Sequence, residues 1–224
     1  MKNILVLGLV LASAFAIADE DIKWSGSVKV WSASASIYGW SNDRYYDSYS
    51  NASGNISLTA KKKDWLFVAS TLLPTGYSVD YSSTVGGYLR RQDYDLAVGY
   101  SLLPNVSPLV GIKVVDYKVD GSSPQTLTAP YIGLTGSQLL SDKYFLYGTV
   151  IYAPNVTDST VTTSERPDKR TFLSYELGFG MPITGTTQLT FGYRAQDNAS
   201  RHGSRQIWYS DTIRGVIFGV NHNF

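Results

Sequence analysis

Histidine is the side chain best suited to proton transfer near neutral pH, and this chain has only two, His202 and His222. His202 falls in a polar stretch, 198–205, with Ser200, Ser204, Asp197 and Asp211 close by in sequence. A hydrolase would need such a base beside a nucleophile or an activated water, oriented by a carboxylate. A histidine between Arg201 and Gly203 is more often simply solvated, so no catalytic residue is assigned. There is no cysteine, which excludes a disulfide scaffold and thiolate metal sites. Gly-rich phosphate loops, zinc spacings and calcium loops are missing as well, so no cofactor and no metal are expected.

The remaining charges ask to be placed by the elements that carry them. From Asp93 to Leu102 the pattern alternates: Tyr94, Leu96, Val98, Tyr100 and Leu102 on one face, Asp93, Asp95, Ala97, Gly99 and Ser101 on the other. A turn at 103–106 leads to a partner with Val110, Ile112 and Val114 against Gly111, Lys113 and Val115. The rhythm returns at 173–181 and 188–196, where Leu173, Tyr175, Leu177, Phe179 and Met181 share one face. Period-2 alternation means strands. Large apolar side chains oppose Gly, Ala, Ser and Thr rather than many Lys and Glu. That combination suits a narrow closed barrel in lipid, with large residues outside and small ones inside. Closure also satisfies the backbone groups that an open edge would leave bare in hydrocarbon.

Ten such segments occur, at about 23–38, 52–61, 64–73, 84–102, 107–118, 128–138, 143–153, 170–182, 187–197 and 206–224. Eight strands is the alternative if two weak segments are loops. In the first segment Val28 and Val30 lie on one parity and Trp31, Ala33 and Ala35 on the other, so a bulge is expected near Val30. Connections near 61–64, 103–106, 138–143 and 183–186 are short; those near 39–51, 74–83, 119–127, 154–169 and 198–205 are longer. Short periplasmic turns and long extracellular loops are usual for membrane barrels. The run Lys61, Lys62, Lys63, Asp64 falls on a short turn and is read as solvated.

The fold class is therefore all-β, a closed antiparallel up-and-down barrel. Residues 1–18 are expected to be a cleaved signal peptide, with Lys2 before an apolar run to Ile17 and Asp19 after Ala18; residues 19–224 form the barrel. The run of about 14 apolar residues is short of the roughly 20 that span a bilayer. Without it, bases and acids balance, which argues against a nucleic-acid partner.

Inside, Glu176 is expected directly across from Arg194, and Asp93 and Asp95 near Lys113 as diagonal neighbours. Charges in a narrow lumen should pair, because an unpaired buried charge costs several kcal/mol. Arg90 and Arg214 share the outward face. Each lies about ten residues from an aromatic at the short-turn end, Tyr100 and Phe224, a climb of roughly 25 Å. They are expected at the outer-leaflet interface, in contact with lipopolysaccharide phosphates, which guanidinium forks bind well.

The last strand carries a resemblance. Val216, Phe218, Val220, His222 and Phe224 alternate up to a terminal Phe, which resembles the terminal β-signal of Gram-negative outer-membrane proteins. His222 departs from the Tyr or other hydrophobic residue usual at that position. The resemblance implies an outer-membrane address, recognition by the barrel-assembly machinery with periplasmic chaperones, and a monomer in contact with lipopolysaccharide. Motifs of the omptin proteases and of the lipid A acyltransferases and deacylases have no match. The expected function is a non-enzymatic structural or surface-interaction role through the loops. A narrow passive channel for small solutes is the alternative, and an outer-rim hydrolase or lipid A-modifying enzyme a distant third.

Overall fold

A computed structural model describes residues 21–39, 44–47, 50–82, 85–119, 124–158, 169–202 and 207–224. Its strands are β1 (Ile22–Gly39), β2 (Arg44–Asp47), β3 (Asn51–Lys62), β4 (Trp65–Ser82), β5 (Val85–Tyr100), β6 (Val106–Val119), β7 (Gln125–Ser141), β8 (Tyr144–Ala153), β9 (Thr157–Asp158), β10 (Lys169–Pro182), β11 (Thr187–His202) and β12 (Ile207–Asn223). All but β2 and β9 make one antiparallel sheet, and β12 pairs with β1 to close it into a ten-stranded barrel. Lipid offers no water to an open edge, and closure leaves none.

The alternation sorts the wall as expected through the lower strands. Leu96, Val110, Leu134, Leu177, Phe191 and Phe218 are exposed outward, and Gly178, Gly192 and Gly219 face in. Outward aromatics gather near the short-turn end, where Trp65 meets Tyr100 edge-on at 5.2 Å, and again higher up, where Tyr175 lies 6.5 Å from Tyr193. A two-residue turn, Lys63–Asp64, joins β3 to β4, and Lys63 takes φ 53° there, a value that glycine adopts more easily.

Several sequence expectations need correction. β1 has no bulge at Val30: its register with β3 and β12 runs unbroken, Val30 opposite Gly54 and Phe218. The change of apolar parity there is real but has another cause, since Trp31 points inward and is fully buried. The stretch 74–83 is not mainly loop: β4 continues to Ser82, paired with β5 on either side of register shifts between Leu72 and Thr75 and between Asp80 and Ser82. β11 likewise reaches His202, paired with Ile207. The barrel wall therefore extends further at this end than apolar alternation indicates, because its upper rungs carry polar side chains on their outer face.

Candidate functional site

The lumen divides into two halves of different chemistry. Toward the long-hairpin end, Trp31 of β1, Leu72 and Tyr77 of β4, Leu89 of β5, Val115 and Tyr117 of β6, Leu127 of β7, and Ile213 and Ile217 of β12 form one buried apolar cluster. These strands lie on opposite sides of the barrel, so the cluster crosses the bore. The segment after β8 folds into the same half. Val156 packs on the cluster, and its N–H donates to the Arg170 carbonyl at 2.9 Å. β9 pairs with β7, and Asp158 accepts from Arg170 Nη1 at 3.0 Å.

Charges are sealed within this half. Arg91 grips Asp93 with two bonds, Nε to Oδ1 at 2.6 Å and Nη2 to Oδ2 at 2.9 Å. The two residues are i, i+2 on one strand and so share a face. Arg91 Nη2 also reaches Gln196 Oε1 at 2.5 Å on β11. Lys113, 1% exposed, lies 3.2 Å from Asp93 Oδ2 and 3.5 Å from Asp95 Oδ2, and Tyr131 donates its hydroxyl to Asp95. Two cations and two carboxylates balance, so each charge has a counter-ion, and Asp95, 13% exposed, also borders the open cavity below. Asp95 sits directly opposite Lys113, and Asp93 one rung away.

Below this cluster Glu176 bridges Lys29 of β1, at 2.5 Å, and Arg194 of β11, at 3.9 Å. Lys29 lies over the Tyr147 ring and Arg194 over the Trp31 ring. Toward the short-turn end the bore opens into a cavity of about 480 Å³ whose wall includes Ser57, Thr59, Lys61, Ser101 and Thr135. Tyr147 and Phe145 lie against Gly178, Gly192 and Gly180 across the wall, where an added Cβ would collide with their rings. The interior is therefore packed in one half and open in the other, not evenly filled.

Of the residues picked from sequence, Asp93, Asp95 and Lys113 meet in one cluster, and Glu176 and Arg194 in another. Arg91 and Lys29 completed those clusters and were missed. Arg91 could have been found from its parity with Asp93; Lys29 could not, because Glu176 is far away in sequence. Arg90 is exposed on the outer face, its guanidinium 5.5 Å from the Tyr88 ring, and Arg214 is exposed on the outer face of β12. Val216, Phe218, Val220, His222 and Phe224 all point outward; His222 Nδ1 lies 2.9 Å from the Thr187 hydroxyl, and the Phe224 N–H donates to Trp24 O.

At the outer rim, Asp197 and Asp211 project to opposite faces of the wall. Asp197 accepts from Thr212 at 3.0 Å outside, and Asp211 from Asn198 at 3.1 Å inside. They cannot both orient one histidine. The side chains of His202 and Ser204 lie outside the described residues, and Ser200 is buried, facing in. Among the described residues no group of three or more His, Cys, Asp or Glu is placed to hold a metal.

No family model matches the sequence, and no curated protein does. Solved structures do. The outer-membrane protease OmpT from Escherichia coli aligns with TM-score 0.59 at 14% identity, over 90% of this chain and 97% of that one. Neisserial surface protein A aligns at TM-score 0.36 and 12% identity, over 90% of this chain and 97% of that one. The translocator domain of autotransporter NalP from Neisseria meningitidis gives 0.40 and 14%, over 100% and 96%. The OmpT likeness carries the fold and, at that identity, nothing of the activity. With its closed wall and outward apolar belt, the chain has the fold of a ten-stranded Gram-negative outer-membrane β-barrel and belongs in that membrane.

Proposed function

We propose that this barrel is a non-conducting, non-enzymatic scaffold that holds its long-hairpin end out from the cell for surface interactions. The observation that supports this reading is the sealed half of the lumen. Trp31, Tyr77, Leu72 and Ile213 on one side and Val115, Tyr117 and Leu127 on the other are buried in one cluster across the bore, and the Asp158–Arg170 pair ties down the segment above them. Small solutes would have to displace close-packed apolar side chains and a buried ion cluster, each costly to disturb. A wall fixed in this way suits presentation of loops on rigid strands.

Purified protein refolded into a planar bilayer tests the reading. Silence is expected across the usual voltage range, and steady unitary conductance would overturn it. Deleting 159–168 should abolish binding to whatever surface the intact barrel recognises while leaving the barrel folded. A second reading, a narrow channel for small solutes, draws on the cavity of about 480 Å³ beneath the seal. It requires the seal to move, and the same conductance measurement separates the two.

A further inference from the structure

On the outer face of the β5–β6 pair the rungs change character abruptly. Tyr94 faces Val114, then Gln92 faces Asp116, then Arg90 faces Lys118. Arg90 and Lys118 are both exposed, on the lipid-facing parity, two outward rungs above the last apolar one. Like charges directly opposite on neighbouring strands destabilise a sheet. Neither has an ion-pair partner among the described residues. Asp116 shares the groove, but its Oδ1 accepts from the Thr126 hydroxyl at 2.7 Å, and neither cation is in ion-pair contact with it. The two cations therefore outweigh the one carboxylate. Beside them runs an open groove of about 420 Å³, with Pro74, Gln92, Gln125 and Thr126 in its wall.

We infer that Arg90 and Lys118 form a clamp for a phosphate group of an outer-leaflet lipid, seated in this groove. The anion would supply the missing counter-charge. Arg90, 5.5 Å from the Tyr88 ring, would present its fork, and Lys118 would add a point charge from the facing strand. Arg214 is not part of such a site. Its rung partners are Ser34 and Ala195, so no second base faces it. The inference stands apart from the sealed lumen and survives if the barrel proves to conduct.

The test uses the full chain folded in detergent, given lipid A either bis-phosphorylated or fully dephosphorylated. The wild type should hold bis-phosphorylated lipid A about tenfold more tightly than Arg90→Gln/Lys118→Gln, the order expected for charge-assisted bonds. Dephosphorylated lipid A should bind both proteins equally, and Arg214→Gln should match the wild type. Inorganic phosphate at millimolar concentration should not displace the lipid; displacement would point to a soluble phosphate and overturn the lipid assignment. Equal retention by the double variant, or an equal loss in Arg214→Gln, would also overturn the clamp. Lys118→Gln alone, which keeps the Arg90–Tyr88 contact, replaces the double variant should that fail to fold. Without lipid A, removing the repulsion should leave the melting temperature unchanged or raised. A fall would mark the pair as structural and refute the proposal.

Discussion

Asp93 and Glu176 are both inward carboxylates held between two cations, yet their surroundings differ. Asp93 is 2% exposed inside a packed apolar plug, and Glu176, at 13%, stands at the roof of an open cavity. The same ion chemistry therefore works under two dielectric regimes in one barrel. In the sealed half a charge has only its partners; in the open half water can replace a lost one.

That contrast can be broken most forcefully at Asp93. Asp93→Ala leaves Arg91 and Lys113 buried together without their shared counter-ion, and should cost about 3–5 kcal/mol in urea unfolding from lipid vesicles. A loss below about 1 kcal/mol would mean that water enters the upper half freely. Trp31→Ala removes the largest side chain of the seal and should cost about 3–5 kcal/mol. The variant should also show conductance bursts absent from the wild type, and silence would place the seal elsewhere in the cluster.

Glu176→Gln should cost only about 1 kcal/mol, since Lys29 and Arg194 can turn to cavity water. Raising salt to about 1 M, where the screening length is about 3 Å, should shrink that difference and leave the Asp93→Ala difference standing. The smallest effect is expected at His222→Tyr, which gives up the contact with Thr187 on the exposed face, at about 0.5–1 kcal/mol. Assembly into the membrane should be at least as efficient as for the parent chain; poorer assembly would show that the alternation ending at Phe224 has been misread as a signal.

How legible the molecule was depended on the height along the barrel. In the lower rungs, side chains such as Leu177 and Phe191 contrast sharply with Gly178 and Gly192, so parity reads directly as outside or inside. In the upper rungs the code fails twice. Inward positions become large and apolar, as with Trp31, Tyr77 and Ile213, while outward ones become polar, as with Gln92, Asp116 and Thr212. Local alternation then inverts or fades. That is why Trp31 suggested a bulge, and why 74–83 looked like a loop. Neighbouring-hairpin pairs such as Glu176–Arg194 could be read by counting from the turn. Lys29–Glu176 could not, because the two strands lie on separate hairpins brought near only by closure.

The sequence by itself determined the all-β class, the strand rhythm and the membrane-facing belt, because each depends on neighbours two residues apart along one strand. That Lys29 reaches Glu176, that Arg91 reaches Gln196, and that the bore is sealed above and open below were decided by the tertiary structure alone. These depend on closing the sheet, which brings strands far apart in the chain to the same height around one narrow lumen. No local pattern along the chain encodes that height.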